Sequence, residues 1–181
     1  MLQHIYIIRH GQPQADTGLA YETLPGPPLS DVGKAEANSA GLFLAAQVAA
    51  DGLPIEQFFA SPFERTLGTA YAIAPHIGLP VSVDGALAEM GKDEPFEAVR
   101  KRIRGWLAAR LADDARCIAC VTHGSPVRAA LQLLSADKLD LSKYVFPVGN
   151  PSPTAGIWRA TRAGDEWVCE LIFQPQAQTQ S

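Results

Sequence analysis

Hydrophobic residues follow two patterns along the chain. Short continuous runs rich in β-branched residues are typical of buried strands, whereas apolar residues that recur every three or four positions indicate helices. The runs predict strands at Gln3–Ile8, Ile55–Ala60, Pro80–Val83, Arg116–Val121, Ala155–Thr161 and Glu166–Phe173. The periodic stretches predict helices over residues 31–50, 62–76, 96–111 and 125–134. Strands that alternate with helices predict the α/β class, here a three-layer α/β/α sandwich with a mainly parallel sheet.

Two of the predicted helices carry capping signals at their start. Ser30 is suited to be the N-cap of the first helix. Ser61, Pro62 and Glu64 have the spacing of a capping box, with serine as the N-cap and proline at the first helical position. We also expect the first helix to bury the face formed by Val32, Ala35, Leu42, Phe43, Ala46 and Ala49.

The length and composition indicate one globular domain. The chain has 181 residues, of which 47% are hydrophobic and 19% are charged, and this length can bury a full core without disulfides. We predict a single domain over residues 1–173 and a disordered, glutamine-rich tail over residues 174–181. No signal peptide is recognisable and no apolar stretch approaches the roughly 20 residues that span a bilayer, so we expect a cytoplasmic protein.

The cysteines and the charge balance narrow the classes of function. Cys117 and Cys120 have the spacing of half a zinc site, but in a strand side chains three positions apart point to opposite faces. The net charge of −4 excludes a broad basic surface, so neither nucleic acid nor a membrane is an expected partner. Within residues 1–64, Arg9 and Lys34 stand against seven acidic residues, and Arg9 is therefore a candidate functional residue.

Reactive side chains follow the carboxyl ends of several predicted strands, where ligands bind in open parallel sheets. Arg9 and His10 come directly after the first strand. Ser61 and Arg65 follow the second strand, and His123 follows the fourth. Because these strand ends meet at one edge of the sheet, we expect two histidines and two arginines to converge there.

The surroundings of these residues favour an anion. Gly11 and Gly124 follow the two histidines and allow the backbone to approach a ligand closely. Helices that begin near Ser61 and Ser125 could direct free N–H groups at the same point. Arginine offers paired planar donors, and imidazole is a nucleophile or proton carrier. The arrangement therefore suits a phosphoryl group.

In these motifs the chain resembles the histidine phosphatase superfamily, also called the phosphoglycerate mutase-like family. The resemblance covers most of the chain and rests on ordered motifs, which are Arg9-His10-Gly11-Gln12, Pro28-Leu29-Ser30-x-x-Gly33, Ser61-Pro62-x-x-Arg65-Thr66-x-x-Thr69-Ala70, Leu87-x-Glu89 and Thr122-His123-Gly124. The Arg-His-Gly triplet alone is a weak signal, whereas the ordered set at predicted strand ends is specific.

The resemblance implies a phosphomonoester hydrolase that needs no cofactor or metal. His10 would be the nucleophile that forms a phosphohistidine, and Glu89 the general acid and base. Arg9, Arg65 and His123 would hold the phosphate oxygens. The expected substrate-binding residues are Gly11, Gln12, Ser61, Gly124 and Ser125. The expected substrate is a small phosphorylated molecule, with a phosphorylated protein as an alternative.

Several assignments stay open at this point. Pro13 and Asp16 stand where members often have threonine and asparagine, and an aspartate there would repel a phosphate. Gln12 either contacts phosphate or stabilises its own loop, and Glu94 is an alternative to Glu89 as the acid.

The segment from Glu89 to His123 is short, with little chain left to form a lid, which favours hydrolysis. A phosphoglycerate mutase-type phosphotransferase and a non-catalytic phosphate-binding module remain alternatives.

Overall fold

A computed structural model describes residues 1–175 in a layered α/β fold. The strands are β1 (His4–Arg9), β2 (Gln57–Ala60), β3 (Ser82–Val83), β4 (Cys117–Thr122), β5 (Ile157–Ala163) and β6 (Glu166–Phe173). The α-helices are α1 (Asp31–Asp51), α2 (Glu64–Ile77), α3 (Phe96–Ala112) and α4 (Gly124–Leu134). Short 3-10 turns lie at Gly85–Leu87, Leu141–Lys143 and Pro147–Gly149.

The six strands form one sheet in the order β3-β2-β4-β1-β5-β6. Strands β1 to β4 are parallel where they pair, and β5 and β6 add an antiparallel hairpin at one edge. The predicted mainly parallel sheet is therefore confirmed. Strand β1 lies next to β4 with Arg9 opposite Thr122, and this register brings the residues that follow both strands together.

Two hydrophobic cores cover the two faces of the sheet. On one face, Tyr6 and Ile8 of β1 pack with residues of α1 and α2 such as Leu44. On the other face, Ile5 and Ile7 pack with residues of α3 and α4. The alternation of a strand's side chains between its faces thus produces the predicted α/β/α sandwich.

Cys117 and Cys120 belong to opposite cores. Burial raises the pKa of each thiol to about 12. The structure thus agrees with the prediction that these cysteines do not share a metal.

The buried face of α1 differs from the prediction. Leu42 is 56% exposed, and the fully buried positions of α1 are the small or medium residues Gly33, Ala37, Ala40, Gly41 and Leu44. The predicted face was wrong, because the spacing of apolar residues along α1 does not show which side of the helix meets its neighbour. Helix α2 instead lies so close that the His76 ring and the Ile73 backbone abut Gly41, and small residues are what such close packing requires.

The remaining elements lie close to their predicted positions. Ser30 caps α1 and its hydroxyl accepts from the Gly33 N–H, as expected. Strand β3 comprises only Ser82 and Val83, and Pro80, which has no N–H for the ladder, lies outside it. No helix among residues 1–175 is long and apolar enough to cross a membrane. The predicted disordered tail lies, from residue 176 onward, outside the described residues.

Candidate active site

His10 lies at the carboxyl end of β1 and is fully buried. Its Nδ1 donates a hydrogen bond of 2.8 Å to the Gly11 carbonyl, so in the neutral ring the lone pair is on Nε2. Burial, followed by the nearby charges of Arg65 and Arg9, lowers the pKa of His10 well below its ordinary value of 6.5. The imidazole is therefore neutral at physiological pH, and Nε2 carries the lone pair that a nucleophile needs.

Two buried arginines supply the positive charge of the site. Arg9 is 7% exposed, and its Nη1 donates to the Ser152 carbonyl at 2.7 Å. Arg65 projects from the first turn of α2 and is fully buried. Among the described residues, none accepts a hydrogen bond from any of the three guanidinium nitrogens of Arg65. Such a buried, unpaired donor set is costly unless an acceptor enters.

Aromatic rings hold the Arg65 guanidinium in place. Its Cζ lies 3.9 Å from the centroid of the Tyr21 ring and 4.7 Å from that of Phe63. The guanidinium therefore meets Tyr21 through the ring face, a cation–π contact that leaves its N–H groups free. Stacking thus orients the guanidinium of Arg65 while its N–H groups remain free to bind an acceptor.

His123 follows β4, and its ring centroid lies 5.1 Å from that of His10. Its Nε2 is 2.7 Å from the Ser61 hydroxyl, and Phe63 packs edge-on against the ring. Burial, with His10 and Arg65 as further causes, lowers the pKa of His123 well below 6.5. His123 is thus neutral, and its Nδ1 makes no hydrogen bond with described residues.

The contact with His123 corrects the predicted role of Ser61. Helix α2 begins at Glu64 with Phe63 as its N-cap and has no side-chain cap. The capping-box prediction was wrong, because the Ser61 hydroxyl is directed at the histidine of the neighbouring strand end. Helix α4 begins at Gly124, with His123 as its N-cap, close to its predicted start.

Glu89 reaches the site from the segment after the Gly85–Leu87 turn. The Thr122 hydroxyl donates to the Leu87 carbonyl at 2.6 Å, which ties this segment to the end of β4. The Glu89 Oε2 lies 3.8 Å from His123 Nδ1. Burial raises the pKa of Glu89, and hydrogen bonds from the Met90 N–H and the Ser125 hydroxyl counter part of this rise. A carboxyl whose pKa is raised in this way suits proton transfer.

Glu94, the alternative acid, lies in a different environment. Its Oε1 is 3.0 Å from Arg102 Nε, and its other oxygen accepts from the Gly91 N–H. Arg102 lowers the pKa of Glu94 and keeps it ionised. The geometry therefore brings Glu89, and not Glu94, to the histidines.

The two glycines after the histidines are closely packed, Gly11 against backbone and Gly124 against the end of a side chain. A Cβ on Gly11 would strike the backbone of Gly33, and one on Gly124 would overlap the Asn150 side chain. The Gly11 N–H donates to the Thr69 hydroxyl, so it is not free to bind a ligand. Gly11 thus positions the loop after β1.

Two further residues considered from the sequence lie away from the buried groups. Gln12 is exposed, and its Oε1 accepts from the Ser30 hydroxyl at 2.8 Å, which agrees with the loop-stabilising alternative. Asp16 is exposed and has a positive φ of 55°. Asp16 is not among the residues that line the cavity next to Arg9.

Sequence reasoning missed Tyr21. Its hydroxyl lies 3.0 Å from His10 Nε2, and burial raises its pKa, so that the hydroxyl stays protonated and donates. Tyr21 lies in the irregular segment between Gln12 and Pro28, where no periodicity or motif marks it. A cavity of about 440 Å³ opens beside it, lined by Arg9, Pro13, Tyr21, Glu22, Glu89, Met90, Ser125, Val148 and Asn150.

Three of these groups could also ligate a metal ion. Within residues 1–175, ligand atoms of His10, Glu89 and His123 lie within 4.8 Å of one another, and such nitrogen and carboxylate ligands suit zinc. The guanidinium groups of Arg9 and Arg65 are permanent positive charges beside them. Their repulsion of a cation makes an anionic group the better fit.

Comparisons with known proteins agree with this architecture. Residues 5–94 match the family model of the histidine phosphatase superfamily, branch 1. A comparison with curated proteins finds no match.

Solved structures share the fold across nearly the whole chain. A mycobacterial glucosyl-3-phosphoglycerate phosphatase is 18% identical with a TM-score of 0.71, over 93% of this chain and 97% of that one. Its complex with inorganic phosphate gives 20% identity and a TM-score of 0.68, over 93% and 96%. A protein from Agrobacterium tumefaciens, provisionally assigned as the phosphohistidine phosphatase SixA, is 19% identical with a TM-score of 0.69, over 97% and 99%. At these identities the likeness is one of fold.

Proposed function

The chain belongs to the histidine phosphatase superfamily, and we propose that it hydrolyses small phosphomonoesters through a phosphohistidine on His10. The observation that carries this proposal is the Arg65 guanidinium, which is fully buried and has no hydrogen-bond acceptor among the described residues. It lies beside His10, whose pKa it lowers. A phosphoryl group bound between them would supply acceptors for the guanidinium and an electrophile for Nε2.

In the first step, His10 Nε2 attacks phosphorus and the bond to the ester oxygen breaks. Glu89 donates its proton to the departing alkoxide, which leaves as the alcohol. Arg9 and Arg65 stabilise the charge on the phosphoryl oxygens; one such donor is worth about 2.7–4 kcal/mol, by analogy with an oxyanion hole. The Nδ1–H bond to the Gly11 carbonyl stabilises the positive charge that develops on the imidazole.

In the second step, water attacks the phosphohistidine and the bond between phosphorus and Nε2 breaks. The Glu89 carboxylate takes the proton from this water, so the enzyme returns to its starting protonation state. The short connection between Glu89 and His123 supports hydrolysis rather than transfer, since α3 and β4 occupy most of it. Little chain is left there to exclude water.

The test is to trap the intermediate with a phosphorus-labelled aryl phosphate and map the labelled peptide. We expect label on His10, stable in alkali and lost in acid, and no label in His10→Ala. His76→Ala is the matched control, because His76 lies on α2 in contact with Asn38, away from the site. Its labelling and phosphate release should equal those of the wild type.

Three results would contradict the proposal. Label on another residue would exclude the His10 intermediate. Equal phosphate release by wild type and His10→Ala would indicate a phosphate-binding module without turnover. Faster transfer of label between two positions of one phosphoglycerate than release of phosphate would indicate a mutase.

A further inference from the structure

The cavity beside Tyr21 shares Arg9 and Glu89 with the proposed phosphate site, so the alcohol portion of a bound substrate would lie in it. It is lined by Arg9, Glu89 and Ser125 of the site and by residues of three irregular segments. Its volume of about 440 Å³ lies within the range of small-molecule sites. The alcohol group esterified to the phosphate would therefore contact the lining residues of this cavity, which we call its wall.

Much of the wall is apolar. Its apolar lining comes from Pro13, the Tyr21 ring, Met90 and Val148. Val148 is 96% exposed and has a φ of 62°, a conformation that β-branched residues rarely adopt. The fold thus holds an apolar side chain at the rim, where an apolar ligand group would cover it.

The wall carries more acidic than basic side chains. Apart from Arg9, the residues with acidic or basic side chains that line the cavity are two glutamates, Glu22 and the proposed proton donor Glu89. Arg102 lies outside the wall in its ion pair with Glu94, and Arg128 donates to the Gly149 carbonyl. Because the phosphate would engage Arg9, a second anionic group of the substrate would face Glu22 without a cationic partner among the lining residues.

We infer that the substrate is a phosphomonoester of a largely apolar alcohol that is neutral or cationic, and that Glu22 sets this preference by repelling a second anionic group. The inference rests on the proposed hydrolysis and adds the chemical class of the substrate. It excludes phosphorylated carboxylic acids and bisphosphates as preferred substrates.

The test compares benzyl phosphate with its 4-carboxy and 4-aminomethyl derivatives. The methylene group between ring and ester keeps the three leaving groups similar, so kcat/KM reports the contact with the wall. We expect the 4-carboxy ester to be at least about fivefold poorer than the neutral ester, and the 4-aminomethyl ester to be equal or better. Glu22→Gln should reduce the penalty on the carboxylate, and Glu22→Lys should reverse the order. Glu97→Gln, a change at an exposed residue of α3, should leave it unchanged.

Failure of the proposed hydrolysis and failure of the proposed substrate class would give different results. If none of the esters is hydrolysed faster than by His10→Ala, the proposed hydrolysis fails. If they are hydrolysed but the carboxylate is as good a substrate as the neutral ester, or the Glu22 variants leave the ratio unchanged, the substrate class is overturned while hydrolysis stands.

Discussion

At the scale of single residues, Tyr21 and a phosphoryl group would compete for the same nitrogen. The Tyr21 hydroxyl lies 3.0 Å from His10 Nε2, where phosphorus has to approach. A net hydrogen bond contributes about 1 kcal/mol, which corresponds to roughly fivefold in affinity. The side chain must therefore yield before Nε2 can react.

We expect Tyr21→Phe to bind inorganic phosphate about fivefold more tightly, since the ring still stacks on Arg65 but the competing hydroxyl is gone. The measurement is the constant for competitive inhibition by phosphate. Weaker binding in Tyr21→Phe would mean instead that the hydroxyl contacts the phosphate.

The pH dependence of kcat/KM follows from two other residues. The reaction requires neutral His10 and protonated Glu89, and burial favours both forms. Activity should therefore persist well below pH 6.5 and decline as the pH rises through the raised pKa of Glu89. Glu89→Gln should be about 10²–10⁴-fold slower and should lack that decline.

Ionisation of the substrate phosphate is common to wild type and variant, so the difference between their profiles isolates Glu89. A Glu89→Gln profile that falls with pH in parallel with the wild type would assign the acid to another group.

At the scale of elements, the close approach of α1 and α2 depends on Gly41. Replacing an interior helical glycine by alanine stabilises a helix by about 1 kcal/mol, but overpacking costs about 1–3 kcal/mol. A Cβ on Gly41 would strike the His76 ring and the Ile73 backbone, whereas a Cβ on Gly105 of α3 meets nothing within 4 Å.

The same substitution should therefore have opposite effects at the two glycines. We expect Gly41→Ala to lower the free energy of unfolding by about 1 kcal/mol and Gly105→Ala to raise it by about 1 kcal/mol. Urea denaturation measures both. Equal stabilisation by the two changes would show that α1 and α2 are not in this close contact.

At the scale of the whole molecule, the buried histidines make stability depend on pH. Below pH 6.5 the unfolded chain binds protons at His10 and His123, whereas their lowered pKa values keep both neutral in the folded state. Folding stability therefore falls as the pH falls, by up to about 1.4 kcal/mol per pH unit for each histidine. Glu89 acts in the opposite sense above pH 4.5, because its raised pKa lets the folded state hold a proton that the unfolded state releases.

Two histidines outweigh one glutamate, so urea denaturation at pH 7 and pH 5 should show lower stability at pH 5. The double variant His10→Gln, His123→Gln should reverse or flatten this dependence. A wild type that is equally stable at both values would contradict the neutral, buried state of the histidines.

Sequence patterns within single segments were enough to predict most helices and strands of this protein. The continuous apolar run of β1, the Ser30 cap and the hairpin of β5 and β6 each depend on residues close in sequence, and all lie near their predicted positions. Placement of reactive residues after strand ends was also predictable, because parallel strands carry them to one edge.

Long-range contacts decided the rest. Arg9 donates a hydrogen bond to the carbonyl of Ser152, 143 positions away. The Ser61 hydroxyl contacts His123, 62 positions away, and does not cap helix α2. Tyr21 reaches His10 only through the path of an irregular loop.

The sequence by itself therefore determined the layered fold and the group of residues that gathers at its edge, because periodicity and strand direction act over a few residues. Only the tertiary structure decided which face of α1 is buried, which carboxylate meets the histidines and which side chain lies on the nucleophile. These outcomes depend on the packing of segments distant in sequence, and the residue pattern within any one segment does not encode them.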